Sequence, residues 1–179
     1  MNDSGKKIPA PPARLILSTP VHFLAFGFGA GLSRWAPGTL GTLVAVPLFL
    51  PFAFLPWQAL AATVVILFAM GCWICGASAR MLKVADYGGI VFDEIVGYLV
   101  ACAALLPALK GPNCPLGVGM AAAFVLFRLF DILKPWPISW CDRNLHGGFG
   151  IMIDDLLAGI ATAATLWGLG QIPFQWPVN

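Results

Sequence analysis

DYGGIVFDEIVG, residues 86–97, places three carboxylates, Asp86, Asp93 and Glu94, at the start of a long apolar run. An ionised side chain at the centre of a membrane span costs about 2.5 to 3.5 kcal/mol, so the adjacent Asp93 and Glu94 need water, a cation, or both. The chain has eight acids. Six lie at the edges of apolar runs, namely Asp86, Asp93, Glu94, Asp131, Asp154 and Asp155. We interpret this distribution as the main functional signal.

The composition around this stretch is that of a membrane protein. Of the 179 residues, 59% are hydrophobic and only 10% are charged, against about 25% charged residues in soluble domains. Residues 1–14 are polar and proline-rich, which predicts a disordered cytoplasmic tail, and the chain length predicts one membrane-embedded domain at residues 15–179. The basic residues are scattered, which gives no case for nucleic-acid binding. Nothing in the sequence indicates an obligate protein partner.

The apolar segments predict an all-α, polytopic membrane helical bundle. Residues 15–35 contain Pro20 and several glycines, which favours a broken or re-entrant segment over a regular span. Five crossings are predicted after it, at residues 40–55, 57–79, 90–109, 116–133 and 151–169. The second of these would be about 34 Å long as a helix, enough to cross the hydrocarbon layer.

The basic residues predict the orientation of the bundle, because Lys and Arg near span ends concentrate on the cytoplasmic side. With the N-terminus inside, seven basic side chains obey this rule and Lys110 does not: Lys6, Lys7, Arg14, Arg80, Lys83, Lys134 and Arg143. The count sets aside Arg34 and Arg128, which belong to motifs. The same orientation brings all the acid-containing motifs to the cytoplasmic face.

FRLFDILKPWPI, residues 127–138, ends the fourth predicted crossing. Arg128, Asp131 and Lys134 are spaced i, i+3, i+6, so on a helix they would form one stripe. One interpretation is an internal salt bridge at the membrane edge. The other is that Arg128 or Lys134 binds a phosphate while Asp131 binds a metal or transfers a proton. Pro135 and Pro137 should end the helix.

CDRNLHGGFGIMIDDLLAG, residues 141–159, precedes and opens the fifth crossing. Three glycines near His146 predict a loop before a helix that begins near Ile151, an arrangement that favours an anion. Asp154 and Asp155 would then lie in the first turn, where they could simply complement the helix dipole. His146 is either a general acid or base or a hydrogen-bonded surface histidine.

SRWAPGTLGT, residues 33–42, predicts a turn with Thr39 as the N-cap of the next helix. The sequence leaves open whether Ser33, Arg34 and Thr39 also contact a ligand. Carboxylates gathered at one membrane face, with basic side chains among them, suit a hard divalent cation such as Mg²⁺, which takes oxygen ligands and substrate phosphate.

Four blocks in order resemble the successive motifs of the phosphatidylglycerophosphatase A family: GLSRWAPGTLGTLVAVPL, DYGGIVFDEIVGYLV, FRLFDILKPWPI and DRNLHGGFGIMIDDLLAG. The similarity runs over about residues 26–159. It implies a Mg²⁺-dependent lipid phosphatase of the bacterial inner membrane that converts phosphatidylglycerophosphate to phosphatidylglycerol and phosphate. The substrate would be a membrane phospholipid, met at the cytoplasmic face.

The residue pattern and the resemblance together suggest a mechanistic hypothesis that assigns roles to the singled-out residues. The expected metal ligands are Asp86, Asp93, Glu94, Asp154 and Asp155. The expected phosphate-binding residues are Arg128, Lys134, Arg143, Ser33 and Thr39, and the expected catalytic residues are Asp131, His146 and Asp93. Direct attack by water is expected rather than a phosphoenzyme. The alternative function is a small transporter that uses carboxylates as a cation or proton relay, which would place acids near mid-span.

Overall fold

The computed structural model describes residues 10–85, 87–108 and 116–170 and contains only helices and turns within these ranges. The α-helices, in chain order, are α1 (Ala13–Ser18), α2 (Pro20–Ala25), α3 (Pro37–Phe49), α4 (Trp57–Leu82), α5 (Phe92–Ala101), α6 (Leu105–Ala108), α7 (Leu116–Leu133), α8 (Ile138–Asn144) and α9 (Gly147–Gly170). This confirms the predicted all-α class.

Four helical segments are long and apolar enough to cross a membrane: Pro37–Phe54, Trp57–Leu82, Leu116–Leu133 and Gly147–Leu169. The first consists of α3 and a 3₁₀ helix, Leu50–Phe54, that continues it. Helix α7 has the predicted bounds, and α4 is three residues longer than predicted. Helix α9 begins four residues earlier than predicted.

The N-terminal segment is broken, as its prolines and glycines predict. Thr19 is extended and separates α1 from α2, which begins at Pro20, and a 3₁₀ helix, Gly27–Leu32, follows with Phe28 and Gly29 at positive φ. The buried His22 of α2 lies 2.8 Å, Nδ1 to Oγ, from Ser78 of α4. Residues 1–9 of the predicted tail lie outside the described residues, and Ala13 and Arg14 at its end are helical.

The predicted crossing at residues 90–109 is not one regular helix. Helix α5 gives way to a 3₁₀ helix, Cys102–Ala104, before the short α6. Pro107 has no N–H to donate to the carbonyl of Ala103, so a continuous α-helical ladder fails here. The part of this segment that the structure describes is therefore less regular than the other four.

Helices α5 and α9 pack closely at the centre of the bundle through two glycines. A Cβ on Gly97 would lie 2.7 Å from the carbonyl oxygen of Asp155, and a Cβ on Gly159 would collide with the carbonyl oxygen of Gly97. On the other side of α5, the buried Tyr98 donates a hydrogen bond from its hydroxyl to the carbonyl of Met120 in α7, at 3.0 Å. Helix α5 is therefore held between α7 and α9, and its first turn carries Asp93 and Glu94.

Candidate active site

A polar cavity of about 300 Å³ lies where the first turn of α5, the end of α7 and the early turns of α9 meet. Its charged lining residues are Asp93, Glu94, Asp131, Lys134, Asp142, Asp154 and Asp155, and His146 lies beside them. The structure thus brings together five of the six acids that the sequence singled out. Asp86, the sixth, lies outside the described residues.

The close packing of α5 on α9 sets the distance between the acids on the two helices. Gly97 follows Asp93 by four residues, and Gly159 follows Asp155 by four residues. Residues four apart lie on the same face of a helix, about one turn away from each other. The crossing that only glycine permits therefore lies one turn beyond the carboxylates and holds Asp93 close to Asp155.

Asp93, Glu94 and Asp155, which we call the acid triad, offer ligand oxygens that lie within 4.8 Å of one another. Each of these residues has a buried oxygen with no hydrogen-bond partner among the described residues: Asp93 Oδ1, Glu94 Oε2 and Asp155 Oδ2. A buried carboxylate oxygen without a partner is costly unless a cation or donor compensates it. Oxygen-only donors crowded in this way fit a hard divalent cation.

The other charged lining residues of the cavity, together with Arg128 beside them, form what we call the ion-pair group: Arg128, Asp131, Lys134, Asp142 and Asp154. Arg128 Nη1 lies 2.5 Å from Asp131 Oδ2, and Lys134 Nζ lies 2.5 Å from both Asp142 Oδ1 and Asp154 Oδ2. Arg128 also approaches the triad, with Nη1 3.7 Å from Glu94 Oε1. Each carboxylate of this group therefore has a cation beside it.

Lys134 is strongly held in its charged form. Burial alone would lower the pKa of its ammonium group, but hydrogen bonds to Asp142 and Asp154 outweigh burial and raise this pKa above its ordinary value. A cation that stays charged beside a cavity of this size is suited to an anionic ligand.

The predicted stripe on α7 is half correct. Arg128 and Asp131 pair along the helix, as the salt-bridge interpretation expects. Lys134 does not continue the stripe, because α7 ends at Leu133 and Lys134 has φ +42°. Its side chain reaches α8 and α9 instead of Asp131. Asp142, its partner on α8, was missed, although it opens the quoted DRNLHGG motif eight residues after Lys134.

The predicted glycine loop before Ile151 is wrong. Helix α9 begins at Gly147, which has φ +73°, so Gly148 and Gly150 are helical. Gly148 presses against α4, where a Cβ would collide with the carbonyl oxygen of Cys72. Asp154 and Asp155 consequently lie about two turns into α9 rather than in its first turn, which removes the interpretation that they only complement the helix dipole.

Three predicted phosphate-binding residues do not line this cavity. Arg143 is exposed and donates from Nε to the carbonyl of Ser139 within α8. The Ser33 hydroxyl bonds both backbone groups of Trp35 in a turn. Thr39 is not an N-cap, because Ala36 occupies that position and Thr39 is the third residue of α3.

The segment at residues 33–42 reaches the site through its backbone instead. Gly38, in the first turn of α3, lies so close to the site that a Cβ would collide with Glu94 Oε1 and come within 2.9 Å of Arg128 Nη1. The glycine therefore lets α3 close over the junction between the acid triad and the ion-pair group.

The chain is similar to known lipid phosphatases over most of its length. A model of the family described as Phosphatidylglycerophosphatase A matches residues 23–170. Phosphatidylglycerophosphatase A of Escherichia coli strain K12 is 43% identical over 167 residues, which cover 93% of this chain and 91% of the relative. The Haemophilus influenzae protein of the same name is 39% identical over 160 residues, 89% of this chain and 94% of the relative.

A third relative carries a different substrate in its name. This Bacteroides thetaiotaomicron protein, provisionally named a phosphatidylinositol-3-phosphatase, is 37% identical over 158 residues, 80% of this chain and 92% of its own length. No solved structure matches the chain significantly. The family match and the two relatives named for it confirm the resemblance seen in the four motifs: the chain belongs to the phosphatidylglycerophosphatase A family.

Proposed function

We propose that this protein is a Mg²⁺-dependent phosphatase that hydrolyses the terminal phosphate of phosphatidylglycerophosphate, giving phosphatidylglycerol and phosphate, at the cytoplasmic face of the bacterial inner membrane. The substrate follows from the names of the two relatives that share the family. The observation that carries the chemistry is the cavity, in which three carboxylates, each with a buried oxygen that has no partner among the described residues, adjoin two cations.

The acid triad would hold the metal, because its buried oxygens have no other partner among the described residues. Asp154 offers a fourth oxygen, since its Oδ1 is buried and unpartnered while its Oδ2 accepts from Lys134. A Mg²⁺ ion held there would supply Lewis-acid polarisation of a phosphoryl oxygen and would help orient the attacking water. The predicted ligand Asp86 stays a prediction.

Arg128 and Lys134 would bind the phosphate oxygens. Both cations line or adjoin the cavity, and both already have carboxylate partners that fix their position. A guanidinium presents a planar fork that matches phosphate geometry, while the ammonium acts as a compact point charge. Arg143, Ser33 and Thr39 receive no such support, because none of them lines this cavity.

Proton transfer would fall to Asp131 or His146. Asp131 accepts from Arg128 in the half-buried part of the cavity, whereas His146 is exposed at its edge. An exposed histidine next to a phosphate can exchange protons with solvent, which suits protonation of the leaving alkoxide. Asp93, the other predicted catalytic residue, would act as a metal ligand in the acid triad.

The cytoplasmic orientation is supported by charge. In the predicted topology, the cavity lies at the same face as Arg80, Lys83, Lys134 and Arg143, and basic residues near span ends mark the cytoplasmic side. The transporter alternative gains no support, because the five described acids that the sequence singled out all line one cavity near helix ends rather than forming a relay through the bundle.

The direct test is phosphate release from phosphatidylglycerophosphate by the detergent-solubilised full-length protein, with and without EDTA. We expect release that EDTA abolishes and added Mg²⁺ restores. Release that EDTA does not affect would contradict the metal requirement. Ion flux in vesicles without phosphate release would overturn the phosphatase in favour of a transporter.

A further inference from the structure

A second cavity, of about 750 Å³, adjoins the polar cavity that contains the acid triad. It is lined by the turn at Ser33 and Arg34, by the segment of Tyr87, Gly88 and Gly89, and by residues near the N-terminus, namely Ala10, Pro11 and Ala13. Gly88 lines both cavities, so they meet at this residue. We infer that the second cavity binds the phosphodiester of the lipid substrate and that Arg34 is the residue that recognises it. This inference rests on the proposed function.

The charge of the second cavity suits an anion. Arg34 is the one charged side chain among the described residues that line it, and no described carboxylate faces it there. The ion pairs within the described part of the chain involve Arg128 and Lys134 and leave Arg34 out. An exposed guanidinium without a carboxylate beside it keeps its donors available for a phosphate.

The turn that carries Arg34 is stabilised by hydrogen bonds within it and by a backbone contact just before it. The Ser33 hydroxyl donates to the carbonyl of Trp35 at 2.8 Å and accepts from its N–H at 3.1 Å. Just before the turn, Gly31 packs backbone to backbone against Gly89, where a Cβ would lie 2.7 Å from the Gly31 carbonyl oxygen. The Ser33 hydrogen bonds therefore fix the shape of the turn, and the contact of Gly31 with Gly89 fixes its position beside the segment of Gly88 and Gly89, where the two cavities meet.

The depth of Arg34 in the membrane matches a lipid headgroup. Trp35, its neighbour, is 87% exposed, and exposed tryptophans of membrane proteins concentrate at the interface between hydrocarbon and water. A Cβ on Gly88 would meet nothing within 4 Å, so space is open where the two cavities join. A short linker between two phosphates can pass through this opening.

The proposed substrate has the matching chemistry. Phosphatidylglycerophosphate carries a terminal phosphomonoester, which is hydrolysed, and a phosphodiester to the diacylglycerol, which is not; one glycerol joins them. With the monoester among Arg128, Lys134 and the acid triad, the diester lies one glycerol away, toward the second cavity. Arg34 would thus favour lipids that carry a diester at this distance over simple phosphomonoesters, and it would set substrate affinity rather than the chemical step.

The test compares Arg34→Gln and Arg34→Lys with the wild type, using full-length protein in mixed micelles. Arg80→Gln is the matched control, because Arg80 is an exposed arginine near the same end of the bundle that lines neither cavity. Two inhibitors separate the subsites. Phosphatidylglycerol carries the diester alone, and inorganic phosphate resembles the monoester alone.

We expect Arg34→Gln to raise the KM for phosphatidylglycerophosphate and the inhibition constant of phosphatidylglycerol by about 10- to 100-fold, the usual loss for a charge-assisted hydrogen bond. Inhibition by inorganic phosphate and kcat should stay as in the wild type, Arg34→Lys should fall between, and Arg80→Gln should match the wild type. The inference would be overturned if the inhibition constant of phosphatidylglycerol were unchanged in Arg34→Gln. It would also be overturned if both inhibitors lost affinity equally. If the wild type itself released no phosphate, the proposed function would fail instead.

Discussion

The acid triad and the ion-pair group lie side by side in one cavity, yet their charges are compensated in different ways. In the ion-pair group, Asp131, Asp142 and Asp154 each have a basic nitrogen at 2.5 Å. In the acid triad, Asp93 and Asp155 have none among the described residues, and Glu94 has only Arg128 at 3.7 Å. The protein thus supplies its own cations on one side and leaves negative charge uncompensated on the other.

This difference indicates that the two groups have different functions. An ion pair between helices can orient side chains and present a cation to an anionic substrate. Adjacent carboxylates that repel one another instead gain most from a ligand with positive charge. The substrate phosphate would then sit between the resident cations of the ion-pair group and a divalent cation in the acid triad.

The largest effect is expected from neutralising the acid triad. Asp155→Asn should lower kcat/KM by about 10³-fold or more, because a metal ion supplies several kcal/mol of transition-state stabilisation. In EDTA the variant should unfold at the same temperature as the wild type or higher, since the substitution relieves repulsion between buried acids. A variant that keeps more than about a tenth of the activity at saturating Mg²⁺ would remove Asp155 from the site.

A smaller effect is expected from changing the distance between Asp93 and Asp155 without touching a charge. A Cβ on Gly97 would lie 2.7 Å from both the Asp155 carbonyl oxygen and the Phe127 ring. Gly97→Ala should therefore push α5 and α9 apart, cost about 1–3 kcal/mol of stability, and lower activity by about 10- to 100-fold, because small misplacements at an active site are costly.

Gly117→Ala is the control for this substitution, because a Cβ on Gly117 would meet nothing within 4 Å. Phosphate release and thermal unfolding should match the wild type. Equal activities for both alanine variants would show that the close crossing of α5 and α9 does not control the site.

The smallest effect at neutral pH is expected in the ion-pair group. Asp142 is one of two carboxylates on Lys134, and its side chain is 44% exposed. Asp142→Asn should lower activity less than about tenfold, because partly exposed ion pairs contribute little free energy. Asp154 would still hold the ammonium group.

The same variant has a clearer signature in its pH dependence. Asp142 helps raise the pKa of Lys134. The charged form of Lys134 therefore contributes fully to activity below the ordinary lysine pKa of about 10.4, and this contribution is lost as the pH rises through the raised pKa of the folded protein. In Asp142→Asn this pKa falls, and the alkaline limb of the rate profile should move to lower pH. An unmoved limb would mean that Lys134 does not act in its charged form.

The convergence of the acids could be predicted from the sequence. Successive crossings alternate in direction, so the start of α5, the end of α7 and the start of α9 must lie at the same face, and these positions carry Asp93, Glu94, Asp131, Asp154 and Asp155. The pairing of Arg128 with Asp131 could also be predicted, because side chains three residues apart are neighbours on a helix.

The remaining details depend on tertiary contacts that no local pattern specifies. The glycines at 148 and 150 look like a loop in sequence, but Gly148 is helical and allows α9 to press against the backbone of α4. Lys134 leaves the helical stripe because α7 ends one residue earlier and its own backbone has positive φ. Its partner Asp142 lies on a separate short helix, so only the folded chain reveals the pair.

Metal binding by the acid triad can be measured apart from catalysis. Mn²⁺ can stand in for Mg²⁺ and is visible by electron paramagnetic resonance in the purified, detergent-solubilised protein. We expect the wild type to bind Mn²⁺, Mg²⁺ to displace it, and Asp155→Asn to weaken Mn²⁺ binding by about tenfold or more. Equal Mn²⁺ affinity in the wild type and in Asp155→Asn would rule out the acid triad as the metal site.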